Sequence, residues 1–197
     1  MQKSELRKQK LRDRDTLSPE ERRAKSEIIC KEIAETLEFS NSGTIMLYKY
    51  IRSEVQLTDL ETICEAVGKT IVYPVCLPDR QMLAVSGTSW KKGPFGIPEP
   101  DPDAGRIIRP SEIDLIVCPC AAYDAACNRL GMGAGFYDRF LSKLRPDAFI
   151  WATAFEIQKT DELFSDPWDV KMNRIYTENG CIICPAEISR TNIQGRN

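Results

Sequence analysis

The chain has 197 residues, 42% hydrophobic and 28% charged, with a formal net charge of -2, a globular mixture sized for a single domain over residues 1–197. That balance excludes a nucleic-acid coat, so an anionic ligand must be held by a few placed basic residues rather than a general field. Histidine is absent, which removes Ser–His and Cys–His nucleophiles and His-bound metals and leaves the chemistry to carboxylates, Lys, Arg, Tyr, Cys or a metal.

In chain order, Lys3 to Arg14 reads as a basic helix. Ser18-Pro19-Glu20-Glu21 is a capping box opening a second helix, where Ala24, Ile28, Ile29, Ile33 and Leu37 predict a buried stripe up to about Glu38. Thr44 to Lys49 follows as a short strand. Thr58-Asp59-Leu60-Glu61 reads as another capping box, with Gly68 ending that helix. Thr70 to Cys76 and Gln81 to Ser86 are expected strands. Gly87 to Pro110, rich in Gly and Pro, is expected to be an extended surface loop with a functional role. Strands at Asp114 to Cys118, Phe149 to Ala154 and Gly180 to Cys184 and a helix at Phe136 to Leu144 complete the alternation. The fold class is α/β: a three-layer domain with a largely parallel central sheet flanked by helices, preceded by an N-terminal helical segment.

No apolar run approaches the roughly 20 residues of a membrane span, and Met1 to Arg14 is charged throughout, so neither a signal peptide nor a membrane partner is expected. The eight cysteines are then expected to be reduced thiols in a cytoplasmic protein. Cys118 with Cys120 and Cys181 with Cys184 have spacings open to zinc, but they sit in apolar runs where free Cys packs as a small hydrophobe.

The most informative stretch runs from Asn128 to Arg139, NRLGMGAGFYDR. Its three alternating glycines follow an expected strand and open an expected helix, where backbone N–H groups and the helix dipole can cradle phosphates. Arg129 can bind phosphate oxygens and Asp138 is placed to ligate an accompanying metal. A tight strand-to-helix turn without a ligand is the alternative. The spacing is not that of a Rossmann fingerprint. Gly68-Lys69-Thr70 is no Walker loop either, because Ile63 stands where the first Walker glycine belongs.

Residues Arg129 to Leu141, RLGMGAGFYDRFL, resemble the glycine segment of the 5-formyltetrahydrofolate cyclo-ligase family, R-L-G-x-G-x-G-[YF]-Y-D-x-[YF]-L. Lys3 to Arg7, Ser53-Glu54-Val55, Phe95-Gly96-Ile97-Pro98-Glu99-Pro100 and Asp114 to Tyr123 fall in the family's order, so the resemblance spans almost the whole chain. It implies an ATP- and Mg²⁺-dependent enzyme acting on 5-formyltetrahydrofolate, a monomer or weak homo-oligomer. Carried over residue by residue, it assigns ATP to Lys3, Ser4, Glu5, Leu6 and Arg7. The phosphates fall to Arg129, Leu130, Gly131, Met132, Gly133, Ala134, Gly135, Phe136 and Tyr137. Glu54 is implied to grip the pterin, with Met132, Gly133, Ala134, Gly135 and Phe136 beside the folate, and Asp138 and Asp169 to hold the metal; Arg129 and Asp138 are the implied catalytic pair. Trp168 stands where the family commonly has His. A folate- or nucleotide-binding relative without turnover, and an isomerase or acyl-transferase on a similar scaffold, stay open as rival readings.

Overall fold

The computed structural model describes residues 2–93 and 96–185, so Phe95 and the last residues of the expected domain lie outside the described residues. In chain order the elements are α1 (Lys3–Asp15), α2 (Pro19–Ala34), α3 (Leu37–Asn41), β1 (Thr44–Met46), α4 (Thr58–Ala66), β2 (Thr70–Cys76), β3 (Met82–Ser86), β4 (Trp90–Lys92), β5 (Pro98–Pro100) and β6 (Arg106–Ile108). They continue with β7 (Leu115–Pro119), β8 (Ala122–Tyr123), β9 (Arg129–Leu130), α5 (Phe136–Leu141), β10 (Phe149–Thr153), β11 (Arg174–Thr177) and β12 (Gly180–Ile183).

Eight strands form one sheet in the order β12-β11-β10-β7-β1-β2-β3-β6. The middle five, β11 to β2, are parallel, and the antiparallel pairs lie toward the edges. Both faces are covered, as the apolar strand runs require. Ile45, Leu115, Val117 and Trp151 pack with Ile29, Ile33 and Leu60 of α2 and α4. Their neighbours Met46, Ile116, Cys118 and Ala152 point the other way and pack with Phe140 and Leu141 of α5. This period-2 division fixes the register, since a slip of one residue would exchange the two cores.

The Ser18 capping box forms as expected: Ser18 Oγ accepts from Glu21 N at 3.1 Å and Glu21 Oε2 accepts from Ser18 N at 2.8 Å. Ser18→Ala should cost about 1 kcal/mol and lower the melting temperature by about 2–4 °C; a thermal melt checks it. The second box does not form. Leu57 is the N-cap of α4, and Glu61 is drawn instead to Lys49, whose Nζ lies 2.8 and 2.7 Å from its carboxylate oxygens. Gly68 does end α4, at φ 72°.

Other expectations are corrected. The stripe up to Glu38 breaks because Thr36 caps a separate α3, leaving Leu37 78% exposed and Ile28 exposed as well. The strand expected over Thr44 to Lys49 ends at Met46, and the helix expected to reach Leu144 ends at Leu141. The stretch from Gly87 to Pro110 is not merely an extended loop: it contains the β4–β5 hairpin and β6, which joins the main sheet. Proline is compatible with a short edge strand, which is why composition misread it. Strand β11 was not expected. Among the described residues no helix is long and apolar enough to cross a membrane.

Candidate active site

From β1 the chain crosses to β2 on one side, and from β7 to β10 and β11 on the other, although β1 and β7 are neighbours. The carboxyl ends of two such strands diverge into a crevice, the usual ligand site of an open α/β sheet. A cavity of about 1170 Å³ lies there, lined by the Tyr48–Glu54 segment after β1, Cys76, Glu99, Pro119 to Ala121, the glycine segment and Asp166 to Val170. A drug-sized ligand typically fills about 300–1,000 Å³, so two substrates can share this space.

The first wall is pinned by Tyr48, whose hydroxyl donates to the Val55 carbonyl at 3.0 Å and bonds Thr153 Oγ1 at 2.9 Å. Arg52 adopts φ 52° in the turn that follows, a conformation rare for a residue with a Cβ. This turn carries Glu54 into the interior, where it is only 6% exposed and accepts from Ile51 N at 3.0 Å. Burial pushes its carboxyl above the ordinary range, against the pull of the Ile51 N–H and of Arg14 and Arg52. A second buried acid in the lining, Glu99 at 4% exposure, is raised by burial in the same way.

The opposite wall is the glycine segment, and each glycine lies under a guanidinium. A Cβ on Gly131 would stand 3.2 Å from Arg129 Nη1, one on Gly133 3.2 Å from Arg7 Cζ, and one on Gly135 2.8 Å from Arg139 Nη1. Gly133 and Gly135 also have φ of 98° and 72°, which side chains rarely adopt. Arg129 is the most enclosed of the three. Its side chain is 2% exposed and pairs with Asp138, Nη2 to Oδ1, at 3.1 Å, while Nη1 donates to the Pro119 carbonyl at 3.3 Å. Helix α5 has only six residues, so positive charge at this wall comes from arginines far more than from the helix dipole, contrary to the expectation from sequence.

Helix α1 closes the third side through one basic stripe at helical spacing. Lys3 Nζ lies 2.6 Å from both Asp166 Oδ2 and Asp169 Oδ2, Arg7 Nε donates to the Gly131 carbonyl at 2.7 Å, and Lys10 Nζ donates to the Ile157 carbonyl at 3.1 Å. Arg14, buried, donates to Ser53 Oγ at 3.0 Å and the Cys120 carbonyl at 3.3 Å. Sequence reasoning picked out Lys3 and Arg7 but missed Lys10 and Arg14. The signal was present as a 4-3-4 spacing of cations, which ordinarily marks a solvated face. Arg139, Glu99 and Asp166 were missed as well.

The structure thus brings Lys3, Arg7, Glu54, the glycine segment, Asp138 and Asp169 to one cavity. Among the described residues no three carboxylate, thiol or imidazole groups that could hold a metal converge, and none of the eight cysteines forms a disulfide. Mg²⁺ usually takes one or two carboxylates and completes its shell with phosphate oxygens and water. Asp138 and Asp169, two carboxylates in the same lining, suit that requirement.

The family model described as the 5-formyltetrahydrofolate cyclo-ligase family matches residues 1–178. The 5-formyltetrahydrofolate cyclo-ligase of Haemophilus influenzae is 30% identical over 142 residues, covering 69% of this chain and 76% of that protein. That of Mycoplasma pneumoniae is 28% identical over 180 residues, covering 90% and 99%. Among solved structures, the 5,10-methenyltetrahydrofolate synthetase of Aquifex aeolicus superposes with a TM-score of 0.82 at 32% identity, covering 94% of each chain. The one from Mycoplasma pneumoniae gives 0.76 at 27% identity, covering 90% of this chain and 99% of its own.

Proposed function

This chain belongs to the 5-formyltetrahydrofolate cyclo-ligase family, and on that premise we propose that it converts 5-formyltetrahydrofolate to 5,10-methenyltetrahydrofolate with MgATP as co-substrate. The observation that carries this reading is a single cavity with an arginine-covered glycine loop on one wall and the buried carboxylate of Glu54 on another.

The triphosphate lies along Gly131 to Gly135 against the guanidinium groups that stand over these glycines, Arg7 among them, with Lys3 at the α1 end. The pterin presents its ring N–H donors to Glu54, an acceptor-only group when ionised. The N5-formyl oxygen attacks the γ-phosphorus and displaces ADP. N10 then attacks the activated carbon and loses its proton, and the phosphate leaves with the C–O bonding electrons, closing the five-membered ring. A transfer of this kind depends on positioning and charge stabilisation, which suits a site without histidine. Asp138 and Asp169 would hold Mg²⁺, which when bound draws charge from the phosphate oxygens. Arg129, enclosed and paired, keeps the Asp138 carboxylate aimed at the loop.

Purified protein with 5-formyltetrahydrofolate and MgATP should develop the methenyl chromophore, with ADP and phosphate appearing in equal amounts. Binding of both substrates without product would replace this reading by that of a binding protein.

A further inference from the structure

The three guanidinium groups over the glycine loop are not equivalent. Arg129 is buried and neutralised by Asp138. Arg7 and Arg139 carry no carboxylate partner among the described residues; their bonds go to main-chain carbonyls. Arg139 follows Asp138 in α5 and turns back so that a single nitrogen, Nη1, donates to the carbonyls of Ala134 and Gly135, each at 3.0 Å. A guanidinium has five N–H donors, so most of its fork stays available. The side chain is exposed and lines the cavity. The loop is shaped around it: Gly135 has φ 72° and leaves no room for a Cβ beneath Nη1. Cations without counter-charge, fixed over a loop open to a cavity, suit an anion that arrives from solution.

We propose that Arg139 is a phosphate-binding residue of this site, sharing with Arg7 the charge of the transferring phosphoryl group, while Arg129 acts as a positioning residue for Asp138. The inference rests on the nucleotide reading above. The bonds to Ala134 and Gly135 hold the fork in place before the ligand enters, so little side-chain freedom is lost on binding.

The test uses the full chain as Arg139→Gln and Arg139→Lys, with inorganic tripolyphosphate as the probe of the phosphate subsite. Glutamine keeps amide donors for the two carbonyls but has no charge. It should bind tripolyphosphate about tenfold more weakly and turn over about 10²-fold more slowly, with 5-formyltetrahydrofolate affinity and melting temperature unchanged. Lysine should fall between glutamine and the parent. Parent-like tripolyphosphate affinity and turnover in Arg139→Gln would overturn the assignment. So would a joint loss of folate and tripolyphosphate binding with a lowered melting temperature, which would make Arg139 a strut of the loop. If the parent protein itself fails to bind tripolyphosphate, the nucleotide reading falls and takes this one with it.

Discussion

Asp138→Asn is expected to keep substrate binding and lose about 10²–10³ in turnover. Its Oδ1 accepts from Arg129 at 3.1 Å, and asparagine can keep that bond while removing one charge from the shell of the proposed Mg²⁺. Raising Mg²⁺ should recover part of the loss. Because Arg129 is buried, the same change leaves its guanidinium without a counter-ion, and a stability cost of about 1–3 kcal/mol should accompany the kinetic one. The two effects separate by measurement: turnover is followed against Mg²⁺ concentration and stability by thermal melting. A variant of lowered melting temperature with normal turnover would reduce Asp138 to the counter-ion of Arg129.

Glu54→Gln should move binding and stability in opposite directions. Folate affinity should fall about ten- to a hundredfold, because a charged acceptor is exchanged for an amide that also presents donors to the donors of the pterin, while ATP affinity holds. Burial raises the Glu54 carboxyl above its ordinary value of 4.5, so the folded protein takes up this proton more readily than the unfolded chain. Its contribution to stability is therefore present below the unfolded value and lost as pH rises through the folded one. The glutamine variant should melt higher than the parent near about pH 7, and that advantage should vanish near about pH 4. Unchanged folate affinity would remove Glu54 from the site.

The parallel core was legible because apolar runs at Leu115–Pro119 and Phe149–Thr153 can be satisfied only by burial on both faces, and the structure places them as neighbours. The glycine segment was legible because three glycines two residues apart have no role in a regular strand or helix. Strand β11 was hidden: Arg174 and Tyr176 alternate with Ile175 and Thr177, and the arginine is taken up by an ion pair with Glu38, far away in the chain. The α1 stripe was hidden for a related reason. Charged side chains read as solvent-facing until a partner is known, and Lys3, Arg7 and Arg14 have partners as far as 166, 124 and 106 positions away. The arginines over the glycines could be found only from coordinates, since Arg7 and Arg139 reach the same loop from opposite sides in sequence.

The latch made by α1 bears on how the protein is made. Helix α1 leaves the ribosome before every residue it docks on, and its last partners, Asp166 and Asp169, emerge after β10 is complete. During synthesis the sheet can assemble through β1, β2, β7 and β10 while α1 waits. Because this helix attaches mainly through cations, with Arg14 its one buried residue and Leu6 packed on Ala122, Leu130 and Leu163, it can wait largely hydrated, presenting little of the apolar face that drives nascent chains to aggregate. The cavity is therefore finished late in synthesis, shortly before β11 and β12 complete the sheet. A nascent chain arrested short of Asp166 should carry the sheet only as far as β10 and no complete cavity.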